Sequence, residues 1–206
     1  MGPEMPFHRA RPALAIVLCT VLALLGACSG PDVVARPAAP PTPVEAGPPP
    51  EVLTAPMIAP GDAVPLPTGA PVLTVTGRIA LTNDAAVLRL DQATLDRLGV
   101  VLVTVYEPWV KQNMKFQGVW LADLIKFTRP DGDARTVHLT ALDDYQIDLT
   151  MADAMAGGIL LATKTGSGGP IAVEDGGPTR VVFISGTPAG SSADQWIWSL
   201  ASIDLR

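Results

Sequence analysis

Thiols and imidazoles are scarce in this chain: Cys19, Cys28, His8 and His138 are the complete set among 206 residues. A structural zinc site needs four Cys or His ligands at close spacing, and a disulfide framework needs paired cysteines; neither can be assembled from these four. His138 sits in the apolar stretch Val137-His138-Leu139 without a Cys or His partner, which favours a satisfied strand residue over a metal ligand. No serine lies in a G-x-S-x-G elbow, so a Ser/His/Asp hydrolase lacks its nucleophile. The segment Lys164 to Pro170 has the Gly and Lys of a phosphate loop but not the order G-x-x-x-x-G-K-[ST], and it is predicted to be a hairpin loop. With 20 Asp and Glu against 14 Lys and Arg, and a net charge of −6, nothing pulls the chain toward a phosphate backbone, and nucleic acid is disfavoured as a partner.

Cys28 has a different setting. His8, Arg9 and Arg11 form a basic start, and the apolar run Ala13 to Ala27 follows, too short for a bilayer span. It ends Leu25-Gly26-Ala27-Cys28, which resembles the lipobox of bacterial lipoproteins. The resemblance implies a signal peptide over 1–27, removed together with Cys19, and lipidation of Cys28. Several acyl chains, at about 0.8 kcal/mol per buried methylene, anchor a protein where one chain is marginal. The expected location is therefore extracytoplasmic, on the cell membrane or the outer membrane, with the membrane as a partner through Cys28.

Composition divides the remainder. Residues 31–71 hold 13 of the 21 prolines, with Pro-Pro steps at 40–41 and 48–50 and no apolar period. Residues 28–71 are therefore expected to be a proline-rich disordered tether, and 72–206 the folded domain. In that domain Val72 to Ile79 and Ala86 to Leu90 alternate as strands. Asp91 caps a short helix ending at Leu98-Gly99. Val100 to Tyr106 is an apolar β-branched run predicted to be a buried strand. Further strands are expected at 114–119, 136–142, 146–149, 159–163, 171–173, 180–185 and 201–205, with short helices at 121–127 and 151–156. Asp143-Asp144-Tyr145 is a hairpin turn, where Asp tolerates positive φ. Trp196 and Trp198 are assigned to core packing. Short helices among many strands give an α+β class with a mixed, β-rich sheet.

A family resemblance rests on the order of blocks. Leu73-Thr-Val-Thr-Gly77 is followed by Trp109, then Phe116-Gln-Gly-Val-Trp-Leu-Ala-Asp-Leu-Ile125. Asp143-Asp144-Tyr145, Gly176-Gly-Pro-Thr-Arg180 and Trp196-Ile-Trp-Ser-Leu-Ala-Ser-Ile203 complete the series. Together they resemble the oxidoreductase molybdopterin-binding domain of the sulfite oxidase and YedY type, over nearly all of 72–206. The resemblance implies a β-rich fold holding a pterin-bound molybdenum. It also implies cofactor or pocket contacts at Tyr106, Glu107, Trp109, Asp144, Tyr145 and Arg180.

The same resemblance marks two departures. Active members carry a molybdenum-ligating Cys in a pattern like C-V-E-x-W, a soft donor suited to the metal. Val105-Tyr106-Glu107-Pro108-Trp109 keeps the Glu and Trp, with Val105 at the Cys position. Near the C-terminus the family's W-V-K-S becomes Trp196-Ile197-Trp198-Ser199, so Trp198 stands at a Lys position associated with the pterin phosphate. Residues 186–194 contain no base. The preferred reading is a domain without cofactor, acting as a binding or accessory module toward an envelope protein or a small molecule, with no catalytic residue and no metal. A molybdopterin enzyme with an unusual set of ligands, and a purely structural lipoprotein, stay open beside it.

Overall fold

The computed structural model describes residues 47–190 and 192–206. The signal segment, Cys28 and the rest of residues 28–46 lie outside the described residues, so the lipidation site is not among them. Where apolar and polar residues alternate, strands form with one side on the core. Strand β2 (Leu73–Gly77) buries Leu73 and Val75, and β3 (Leu88–Leu90) buries its two leucines. Strand β4 (Val100–Glu107) buries Val101, Val103, Val105 and Glu107 while Tyr106 points outward. The expectation of a strand buried on both sides thus gives way to a one-sided one beyond Val101. An antiparallel strand accepts apolar residues on its wet face without penalty.

Strands β5 (Gln112–Trp120), β6 (Thr136–Ala141), β7 (Gln146–Thr150), β8 (Ile159–Thr165), β9 (Arg180–Phe183) and β10 (Leu200–Leu205) complete two five-stranded sheets with β1 (Glu51–Thr54). One has the order β1-β4-β5-β8-β9 and is antiparallel throughout. The other, β3-β2-β10-β6-β7, is mixed, because β10 runs parallel to β2 and antiparallel to β6. Helix α1 (Gln92–Asp96) starts where the Asp91 carboxylate accepts the Thr94 N–H at 2.8 Å. Helix α2 (Leu121–Phe127) buries Leu121, Ala122, Leu124, Ile125 and Phe127, and α3 (Met151–Met155) is capped by the Thr150 hydroxyl. The fold is the mixed, β-rich α+β architecture that the strand pattern predicts. Among the described residues no helix is long and apolar enough to cross a membrane.

Two boundaries differ from expectation. The proline-rich segment joins the fold before residue 72: β1 pairs with β4 at Glu51↔Leu102 and Val52↔Val101, the Met57 N–H donates to the Arg97 carbonyl, and Ile58 and Val64 are buried. Pro50 and Pro56 flank β1 without entering it, and an edge strand tolerates proline beside it. Composition alone hides such a segment. Ile171 to Val173 is not a strand either. The Ala172 carbonyl accepts from Asp175 and Gly177, making a tight turn that ends on Gly176 at φ 85°. Beyond it, the last segment covers the outer edge of β9, with the Val181 N–H donating to the Ile197 carbonyl at 2.9 Å. That covering buries all four residues of β9, Arg180 among them.

Candidate functional site

The site is organised around a charge sealed in the interior. Glu107 ends β4 and is fully buried, and Arg180 opens β9 with 2% of its surface exposed. The Arg180 Nη2 donates to Glu107 Oε1 at 2.8 Å, and Nη1 donates to the Asp175 carbonyl at 3.0 Å. Its guanidinium carbon lies 4.4 Å from the Trp198 ring centre and 5.1 Å from that of Phe116. Desolvation pulls the Arg180 pKa below its ordinary value, and the hydrogen bond and charge of Glu107 oppose that pull. The other Glu107 oxygen, Oε2, accepts the N–H groups of Trp109 and Val110 at 2.8 and 2.7 Å. One carboxylate therefore holds both the β4–β5 turn that presents Trp109 and the guanidinium that backs Trp198.

Those two tryptophans are walls of a pocket of about 490 Å³, shared with Tyr145, Trp196, Asp143 and Asp194. Trp109 is 60% exposed on its turn and Tyr145 43% on the β6–β7 turn. The Tyr145 hydroxyl donates to the Asp194 carbonyl at 2.6 Å, tying that turn to the C-terminal segment. Trp196 is buried against Phe183, ring centres 5.6 Å apart and tilted 54°. The Ser192 hydroxyl donates to the Asp194 side chain and holds its carboxyl below the usual carboxylate range, so it is ionised at neutral pH. A second pocket, about 460 Å³, adjoins through Ala193 and Trp196 and takes in Tyr106, Ser185 and Thr187; among the described residues no charged side chain lines it.

The residues singled out in the sequence are thus divided. Trp109 and Tyr145 come together in the aromatic pocket, and Tyr106 lines its neighbour. Glu107 and Arg180 pair with each other beneath the surface and line neither. Asp144 occupies the turn at φ 66°, outside both pockets, while its neighbour Asp143 lines one. Val105 is 1% exposed and packs in the core. Trp196 and Trp198, for which core packing is the preferred expectation over a binding pair, also wall the pocket, and Asp194 joins them. The Trp-x-Trp spacing after an acidic residue was the available signal for these. His138 Nδ1 lies 2.7 Å from Asp148 Oδ1 on the paired strand, a satisfied strand residue. Lys164 pairs with Asp96 at 2.6 Å, and the loop after it is a closed turn between Thr165 and Gly169.

The family model of the oxidoreductase molybdopterin binding domain matches residues 92–204. The chain belongs to this family. Among solved structures it is similar to the sulfane dehydrogenase SoxCD from Paracoccus pantotrophus, at 17% identity and a TM-score of 0.51. The alignment covers 65% of this chain and 37% of the SoxCD chain, so the likeness is one of fold over a part of a longer protein. No curated protein matches the sequence.

Membership of a molybdopterin-binding family poses a question of fit, and the donor chemistry of these pockets answers it. A bound pterin brings a dianionic phosphate, which when desolvated needs cations or converging N–H groups. The charged side chains lining the two pockets, among the described residues, are Asp143 and Asp194, both acidic. The Arg180 Nε is buried without a partner, as is the Trp198 Nε1, so neither nitrogen is open to a ligand. Among the described residues no three His, Cys, Asp or Glu side chains gather as a metal-holding group. Among the described residues, the side chains that line these two pockets do not fit a pterin phosphate, because they bring it no cation.

Proposed function

We propose that this chain is a lipid-anchored member of the molybdopterin-binding family that works without the cofactor, as a binding or accessory module outside the cytoplasm. The observation that carries the reading is the charge of the pockets: among the described residues the charged side chains that line them are Asp143 and Asp194, while Arg180 is turned inward to a buried carboxylate at 2.8 Å. Val105, at the place of the ligating Cys, supports it from the other side, being a core residue of β4. Trp198, at the place of the phosphate-binding Lys, supports it again by stacking on the guanidinium that would have faced an anion. The pocket left between the two turns offers ring faces and carboxylates, which suit recognition rather than redox chemistry. Cys28, with its lipobox-like setting, supports the anchor, and the proline-rich residues before β1 the spacing from the membrane.

The test is the metal and pterin content of the full-length chain, purified from a host that makes molybdenum cofactor. We expect substoichiometric molybdenum and no pterin fluorescence after release. Stoichiometric molybdenum would overturn the reading and favour an enzyme with an unusual set of ligands. A Cys28→Ser chain should lose its lipid label and leave the membrane fraction; retention there would overturn the anchor.

A further inference from the structure

Three of the chain's four tryptophans, Trp109, Trp196 and Trp198, meet Tyr145 around one opening, and the two charges on its rim are the carboxylates of Asp143 and Asp194. Its volume of about 490 Å³ lies within the ordinary range for small-molecule sites, about 300–1,000 Å³. The Trp198 Nε1 is sealed from solvent, so the part of that ring that meets the pocket is carbon. Trp198 already serves as a cation platform on the side of Arg180, at 4.4 Å. The Arg180 charge is offset by Glu107, which leaves Asp143 and Asp194 to set the field on the pocket side.

Ring faces are negative at their centres and attract a cation that has little need of hydrogen bonds. A sugar or a nucleotide would bring several hydroxyls or phosphates to walls that are almost wholly apolar, leaving them unpaired or, for phosphate, facing two acids. An organic cation with alkyl groups on nitrogen has neither difficulty. We propose that the aromatic pocket binds a free quaternary ammonium compound, its methyl groups against Trp109, Tyr145, Trp196 and Trp198 and its charge facing Asp143 and Asp194. Trp109, on an exposed turn, closes the outer wall. The Tyr145–Asp194 hydrogen bond holds the opposite one in place.

This proposal rests on the reading of the domain as free of cofactor, and the two fail separately: molybdenum in the purified chain sinks that reading, whereas a molybdenum-free chain that ignores the cation sinks only this one. The experiment is a tryptophan-fluorescence titration of the full-length chain in a non-ionic detergent. The probes are choline, its neutral carbon isostere 3,3-dimethyl-1-butanol, and phosphocholine. Choline should quench saturably and bind at least about tenfold more tightly than the isostere, the range expected for a desolvated cation over several rings. Phosphocholine should bind more weakly than choline, because its phosphate meets the two acids. Trp109→Ala and the double change Asp143→Asn with Asp194→Asn should each weaken choline about tenfold or more, and the Asn pair should leave the isostere unchanged. Equal binding of choline and isostere, tighter binding of phosphocholine, or full affinity in both variants overturns the proposal.

Discussion

Replacing Glu107 by Gln tests whether the interior of this site is sealed. The change keeps the shape and removes the charge. Oε1 takes a guanidinium N–H at 2.8 Å, and Oε2 takes two backbone N–H groups at 2.7 and 2.8 Å, so the carboxylate accepts on both sides. A Gln amide accepts on one side only, and its NH2 group must face donors on the other. The N–H groups of Trp109 and Val110 belong to exposed residues and can be hydrated; Arg180, 2% exposed and under Trp198, cannot. Breaking a buried pair from one side costs about 3–5 kcal/mol because the remaining charge is stranded. At roughly 2–4 °C per kcal/mol for a chain of this size, Tm falls by about 6–20 °C. Glu107→Leu combined with Arg180→Met removes both charges and should recover most of that loss, since apolar replacements of a buried pair are often close to neutral. Urea unfolding followed by circular dichroism measures the parent, Glu107→Leu, Arg180→Met and the double change as the four corners of a cycle, with Glu107→Gln beside them. A Glu107→Gln chain within 1 kcal/mol of the parent, with no coupling in the cycle, would show that water reaches the guanidinium. Arg180 would then be free to meet an anion, and the case against a pterin phosphate would fall.

Three further outcomes follow from the same geometry. Asp91→Ala should cost about 1 kcal/mol at neutral pH through loss of the α1 cap. The Asp91 carboxyl is held below its ordinary value by the Thr94 hydrogen bonds, so its contribution is fully present above the unfolded-state value of 3.8 and disappears as pH falls through the lower folded-state value; parent and variant should therefore converge in acid unfolding, and a constant difference would refute the assignment. Gly176→Ala places a methyl 2.8 Å from the Trp198 ring at φ 85°, and should destabilise by about 1–3 kcal/mol while shifting tryptophan emission; an unchanged spectrum and stability would refute the packing. Val105→Cys should add no thiol that reacts with a disulfide reagent in the folded chain, and one that does after unfolding, because residue 105 is in the core; rapid native reaction would place it on the surface instead.

Most strands were legible because period two survives wherever one face is wet: Leu73-Thr-Val-Thr-Gly77 and Thr136 to Ala141 announce themselves, and Asp91 marks its helix by a cap whose chemistry is local. The entry of residues 51–71 into the fold was not legible. Val52, Ile58 and Val64 are isolated among prolines, and their partners, Val101 and the core, lie some fifty residues away. The site shows the same division. The expected departures at Val105 and Trp198 could be read from the sequence, since they concern only which residue types stand at matched positions. What those residues do instead depends on long-range pairing: Glu107 and Arg180 are separated by 73 positions, and Tyr145 and Asp194 by 49.

That pairing explains how a buried guanidinium is held without any anion from outside the chain. A lone arginine at this depth would be a stranded buried charge, a cost of several kcal/mol. Here Glu107 neutralises it, and the Trp198 ring lies against its face. The same Glu107 fixes the turn carrying Trp109 through two backbone hydrogen bonds. Neutralising the guanidinium and positioning the aromatic pocket therefore fall to one residue, and the carboxylate that secures the first also sets the wall of the second. A Glu107→Gln chain should consequently lose choline quenching together with stability, whereas Asp91→Ala, which destabilises without touching either turn, should keep it. Quenching that tracked stability in both variants alike would mean that the pocket has no dependence on the buried pair beyond the fold itself.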